Sequence, residues 1–271
     1  MTAVSEVRGS LPRRQWEHRI DFVRAVVWGQ FRTEFDQYFL GWLWWILEPV
    51  MQSLTFLFIV ALFFHFEGNR LWVILVSVVA WRWFARSVEI APHLPLQFNP
   101  YVRTGAVTGE LLFFTFLAKE TVVFVIAMTV IAIPVALFNG PFGWSIAEVP
   151  LIMLTQFLVI YWTAALAYVV GAFVHDVGKL VGLIVSVLFY FSPGIYLRSD
   201  IASVAPAWAI ALLKFNPFWA ILASWQNVLV RGEHADLLGL AIWSAASAFL
   251  TVATALLLRR LRRRLTKVSF E

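Results

Sequence analysis

Six apolar stretches, each about long enough to cross a bilayer as a helix, constrain this chain more than any other feature. A hydrocarbon core of about 30 Å takes roughly 20 helical residues. Residues 42–64, 71–91, 111–138, 150–174, 180–196 and 237–258 form such runs, the fifth being the shortest. Of 271 residues, 61% are hydrophobic and 14% charged, and the mean hydropathy is +0.79. A soluble domain carries about 25% charged residues, and a soluble globule would have nowhere to put this much apolar surface. A soluble enzyme, a disordered chain and a secreted disulfide scaffold are excluded on that ground. The absence of cysteine removes disulfides, Cys-ligated zinc and a cysteine nucleophile. The sequence therefore predicts an all-α, polytopic membrane protein with six transmembrane helices.

Charge sets the expected orientation. Arg8, Arg13, Arg14, Arg19, Arg24 and Arg32 precede the first stretch, and Arg259, Arg260, Arg262, Arg263, Arg264 and Lys267 follow the last. Cytoplasmic flanks collect Lys and Arg, so both termini are expected in the cytoplasm, which requires an even number of spans. The net charge of +5 is thus read as a topology signal. A nucleic-acid partner would need a soluble basic face, and none is available. No short apolar core of a cleavable signal stands in the first forty residues, so targeting is expected to rest on the first span.

Two regions read as lying at the membrane without crossing it. Trp16, Ile20, Val23, Val27, Phe31, Phe35 and Tyr38 recur at helical spacing, with charged residues between them. This pattern suits an interfacial amphipathic helix; a helix packed on a soluble partner is the alternative. Residues 201–213 and 218–230 are apolar runs of 13 residues, too short to cross. Pro217 separates them, and Ser192-Pro193-Gly194 breaks the fifth span. They read as two short re-entrant helices, since broken helices at membrane depth need protein or a watery cavity over the freed backbone. A cavity or gate and a packed surface loop both remain open. The expected layout is a cytoplasmic N-terminus with the amphipathic helix (1–41), a six-span domain (42–258) and a basic cytoplasmic tail (259–271).

Several motifs resemble one family. Leu40-Gly41-Trp42-Leu43-Trp44-Trp45-Ile46-Leu47-Glu48-Pro49 resembles the start of the first span in type-2 ABC exporter permeases, above all those that export O-antigen, capsule and teichoic-acid polysaccharides. Phe191-Ser192-Pro193-Gly194-Ile195-Tyr196 is similar to the Ser-Pro-Ile-x-Tyr end of their fifth span. Phe215-Asn216-Pro217-Phe218 is similar to the Asn-Pro before their second outer re-entrant helix, and His175-Asp176 stands where many members have Arg-Asp. The resemblance covers nearly the whole chain in length, span count and order. It implies a homodimeric permease of the bacterial cytoplasmic (inner) membrane, with two ATP-binding cassette subunits docked on its cytoplasmic face. A lipid-linked glycan would pass at the dimer axis, among membrane lipids.

The chemistry expected of this chain alone is binding, not catalysis. The nearest approach to a phosphate-cradling G-x-x-x-x-G-K-[ST] loop runs from Gly171 to Leu180, with the wrong spacing and Leu at its end. ATP and Mg are therefore expected on the partner subunit, with no cofactor or metal held here. The five histidines are scattered, without H-E-x-x-H, and G-x-S-x-G is absent.

Ionisable residues within spans carry the most information, because each costs about 2.5–3.5 kcal/mol on insertion scales. Arg82, Arg86 and Glu89 share one helix face by their spacing of four and three. One reading sends Arg82 and Arg86, with Glu48, to the translocation path, where guanidinium forks suit a lipid-linked pyrophosphate. The other pairs Glu48 or Glu89 with these arginines in a structural network. Trp208, Trp219 and Trp225 are candidates for stacking on sugar rings, against an ordinary interfacial belt. Pro193, Tyr196, Asn216 and Pro217 are candidates for an outer gate. The Pro- and Gly-containing stretch 92–110, with Gln97, Asn99, Tyr101 and Arg103, joins His175 and Asp176 as a candidate surface for coupling to the ATPase.

The leading functional reading is the membrane permease subunit of an ATP-driven polysaccharide exporter. A type-2 ABC exporter of a lipid or drug, and a membrane-embedded enzyme acting on lipid-linked sugars, are the alternatives. An ion-driven carrier would show inverted repeats, and none is evident.

Overall fold

The computed structural model describes residues 29, 32, 41–63, 69–97, 108–140, 142–174, 176–194, 196–198, 200–201 and 205–268. Among these residues the regular structure is entirely helical. Among the described residues the α-helices of eight or more residues follow in order: α1 (Trp44–Phe63), α2 (Arg70–Ile90), α3 (Gly109–Asn139), α4 (Val149–Phe173), α5 (Val177–Tyr190), α6 (Ala207–Lys214), α7 (Pro217–Gln226) and α8 (Leu237–Val268). Only Gly29 and Arg32 of the amphipathic stretch are described, and both are helical.

Local chemistry explains most boundaries. Thr108 caps α3, its Oγ1 accepting from the Leu111 N–H at 3.4 Å, and the helix stops at Gly140 with φ of +96°. Asn216 caps α7, its Oδ1 accepting from Phe218 N–H at 2.9 Å, with Pro217 in the first turn. A π-helical turn over Asn227–Arg231 ends that segment at Gly232, whose φ is +68°. Helix α8 runs through Arg259 and beyond to Val268. Leu and Arg favour helix, and no Gly or Pro interrupts them.

Central to the bundle is α2. It packs against α1, α3, α4, α5 and α7, and buried residues surround it on all sides. A helix that is apolar on most of its circumference belongs in a core, and the exception here is the face of Arg82, Arg86 and Glu89. The most extensive other pairing is α4 on α8. The outer surfaces of α3, α5 and α8 are apolar as well: Ile133, Leu137, Leu183, Ile184, Leu238, Ile242, Phe249 and Val252 are all exposed. No soluble monomer leaves so much apolar surface to water, and faces of this kind suit the apolar interior of a membrane. The chain is a multi-pass membrane protein.

Four helical segments among the described residues are long and apolar enough to cross: Arg70–Gln97, Gly109–Phe138, Trp144–Phe173 and Leu237–Leu261. A fifth is added if α6 and Pro217–Arg231, bent by 88°, count as one broken span. The expected six therefore do not all stand as long helices. The stretch 180–196 departs most. Its helix, α5, has 14 residues, about 21 Å, and ends where Ser192, Pro193 and Gly194 turn the chain. The first expected run is matched by α1, which has 20 residues. Of the two 13-residue runs, the first forms only the eight residues of α6 and the second becomes α7 with its π-helical turn.

Glycine matters where α4 meets the turn after α2. A Cβ on Gly171 would lie 2.4 Å from Pro92 Cα and O. Backbone cannot yield as a flexible side chain does, so G171V should destabilise by about 1–3 kcal/mol. The check is the thermal midpoint in detergent against G182A, whose Cβ would meet nothing within 4 Å. Equal midpoints would show that this contact does not hold the fold.

Candidate functional site

Two polar regions lie in the apolar bundle. The first is a cleft of about 410 Å³ between α1, α2 and α5, lined by Glu48, Gln52, Arg82, Arg86, Glu89 and Ser186 among aromatic neighbours. The α2 helix presents Arg82, Arg86 and Glu89 on one side, as their spacing predicts. Arg82 Nη2 lies 2.5 Å from Glu48 Oε2 on α1, and Arg86 Nε lies 3.1 Å from Glu120 Oε2 on α3. Glu120 also meets Lys119 Nζ at 3.2 Å, and both of those side chains are buried. Three cations thus face three carboxylates, counting Glu89. The balance lets the group exist in an apolar interior, where an unmatched charge is costly. It is not uniform: the Glu48 side chain is 54% exposed and that of Glu120 only 2%.

The second region surrounds α7. Asn216 Nδ2 donates to Ser192 Oγ at 2.8 Å and to Phe191 O at 3.2 Å. Gln226 Nε2 donates to Pro193 O at 2.6 Å and to Ser77 Oγ of α2 at 2.8 Å. Gln156 of α4 joins two more elements, donating to Ala80 O at 2.7 Å and accepting from Trp225 Nε1 at 2.8 Å. Arg198 Nε donates to Trp219 O at 2.8 Å, and its Nη1 lies 2.8 Å from Asp236 Oδ2. The Asp236 carboxyl is pushed up by burial, but hydrogen bonds from the Gly239 N–H and Arg198 outweigh this and hold it below its ordinary value. Burial pushes the Tyr196 phenol up to about 12, so it stays neutral.

No family model matches the chain. Over 215 residues it is 19% identical to the O-antigen export system permease protein RfbA of Klebsiella pneumoniae, covering 78% of this chain and 81% of that protein. Over 257 residues it is 22% identical to the O-antigen export system permease protein RfbA of Myxococcus xanthus, covering 88% of this chain and 95% of that protein. Over most of its length the chain is thus similar to permeases named for O-antigen export.

The sequence-selected residues fall into distinct places. Glu48, Arg82 and Arg86 share the first cleft. Asn216, beside Pro217 at the start of α7, bonds Ser192, while the neighbouring Pro193 O accepts from Gln226 at the end of α7, and Tyr196 follows a few residues along the same turn. Trp225 is 1% exposed with its indole N–H satisfied, a packed position. Trp219 is nearly buried beneath Arg198, whose guanidinium carbon lies 5.4 Å from its ring centroid. Trp208 is 72% exposed on α6 and stands apart from the cleft. Gln97 and Asp176 are both exposed, and their segments adjoin, since Gly171 closes on Pro92 and Gly178 on His93. Asn99, Tyr101, Arg103 and His175 lie outside the described residues.

Sequence reasoning missed the polar partners. Glu120 lies in the 111–138 run as an intramembrane charge, and nothing in the sequence names it as the partner of Arg86. Gln156 and Gln226 were passed over, although an amide in an apolar helix is itself a signal, because it must find a partner.

The pairs differ in consequence. E120Q leaves Arg86 and Lys119 short of a buried carboxylate and should cost about 3–5 kcal/mol. E48Q, at a half-exposed pair, should cost below about 1 kcal/mol. Thermal midpoints of the two purified variants check the order, and a larger loss for E48Q would reverse this account.

Proposed function

We propose that this chain is the permease subunit of an ATP-driven exporter that moves a lipid-linked polysaccharide across the bacterial inner membrane. The observation that carries the reading is similarity, over most of the chain, to permeases named for O-antigen export. A transporter subunit, not an enzyme, is the role that follows. In this reading α1 to α5 and α8 are the six spans, and α6 with α7 is a re-entrant pair. Both termini are cytoplasmic.

Two copies form the path, and two ATP-binding subunits dock on the cytoplasmic face, where ATP and Mg are held. Gln97, Asn99, Tyr101, Arg103, His175 and Asp176 form the docking surface. The close approach of the 91–97 and 171–178 segments supports a single surface there. ATP binding favours one of two arrangements of the dimer interface. Arg82 and Arg86 then meet the diphosphate of the lipid-linked substrate. The exposure of Glu48 supports this step, because a half-solvated carboxylate yields its arginine to a competing anion more readily than a buried one. Around α7, Pro193, Tyr196, Asn216 and Pro217 form the outer gate, with Trp208 and Trp219 in the substrate-contacting region.

Mild-detergent isolation of the chain from its native membrane, followed by mass spectrometry, tests the assembly. The expected result is a stoichiometric soluble ATPase carrying a Walker A motif; recovery of the chain alone under several detergents would overturn it. For the path, the R82Q/R86Q double variant is expected to remain folded and to lose export by at least about tenfold, as removing two charge-assisted contacts implies. Normal export by the folded double variant removes the diphosphate contact while leaving the assembly untouched.

A further inference from the structure

A second cavity, of about 590 Å³, lies between the corner joining α6 to α7 and the first turns of α8. Its volume falls in the range of about 300–1,000 Å³ found for small-molecule sites. The walls differ in character. On one side Arg198 is held rigidly: it pairs with Asp236 at 2.8 Å, donates to Trp219 O and lies over the Trp219 ring. The Asp236 carboxylate is committed to Arg198 and to the Gly239 N–H, which donates at 2.9 Å. Lys214, the last residue of α6, lines the same cavity and is exposed. Its ammonium makes no hydrogen bond or ion pair among the described residues. Two cations against one carboxylate leave one positive charge uncompensated in the lining. On the other side Leu238, Ile242 and Ala246 follow at spacings of four along α8, one apolar stripe, with Leu238 and Ile242 exposed.

We propose that this cavity binds an anionic phospholipid of the surrounding leaflet, its phosphate at Lys214 and Arg198 and an acyl chain along the α8 stripe. Charge complementarity selects the ligand. A phosphate diester with a neutral alcohol headgroup supplies the missing negative charge, whereas a zwitterionic headgroup brings its own cation and leaves the excess unmatched. The apolar stripe distinguishes a lipid from a free anion, because inorganic phosphate gains nothing from Ile242 or Leu238. The site is separate from the Arg82–Arg86 cleft and does not depend on what the permease exports.

Native mass spectrometry of the full-length chain in neutral detergent tests this, with phosphatidylglycerol, phosphatidylcholine and inorganic phosphate as probes. The wild type should retain phosphatidylglycerol at least about fivefold better than phosphatidylcholine, the effect of one lysine at an anionic lipid surface. K214Q should lose that preference and K214R should keep it, with all three proteins eluting alike on size exclusion. Lys214 is exposed, so these substitutions do not open the core. Equal retention of the two lipids, or an unchanged preference in K214Q, overturns the proposal. Displacement of phosphatidylglycerol by millimolar inorganic phosphate also overturns it, by showing a site for a free anion only.

Discussion

A chain that breaks its helices inside an apolar interior leaves backbone groups in need of partners, and here side-chain amides take two of them. No water competes for these groups in a bilayer core, so an unmet donor or acceptor costs several kcal/mol. The turn after α5 exposes Phe191 O and Pro193 O, taken by Asn216 and Gln226. Arg198 takes Trp219 O within α7. These bonds also tie α7 to its neighbours: Gln226 reaches Ser77 on α2, and Gln156 links Trp225 to Ala80 O. The aromatic packing rests on that placement, with Phe218 4.8 Å from Trp81 and 4.4 Å from Phe84 between ring centroids.

The same requirement shapes the charged cleft. Arg82 and Arg86 could not sit on a central helix without carboxylates from the helices on either side, and Glu48 and Glu120 come from α1 and α3. The pairing favours one mutual rotation of three helices. It also sets a buried side of the network, at Lys119 and Glu120, against an open one at Glu48 in the cleft.

The long runs were legible because burial in lipid is scored residue by residue. The starts and ends of α2, α3 and α4 fall within two residues of the apolar stretches read from the sequence. The 180–196 run was harder, because apolarity continues past Tyr190 while the helix stops. In the charged cleft the helix face of Arg82, Arg86 and Glu89 was legible from spacing, and Glu48 was already one of two candidate partners. The link from Arg86 to Glu120 was not, since nothing in the 111–138 run says which way its helix turns. Trp225 shows the same limit: an aromatic residue beside a proline break looks like a contact for sugar until Gln156 is seen to hold its N–H.

What the sequence determined by itself is which segments leave water, where charge interrupts them and where proline must break them. Each of these follows from transfer and conformational terms that act locally along the chain. Tertiary structure alone decided which polar groups meet. Ser192 and Asn216 stand 24 residues apart yet lie 2.8 Å from each other, and Ser77 and Gln226 are joined across 149 residues. Such meetings depend on the depth and rotation of packed helices, which are set by the fit of all neighbours together and not by any one segment.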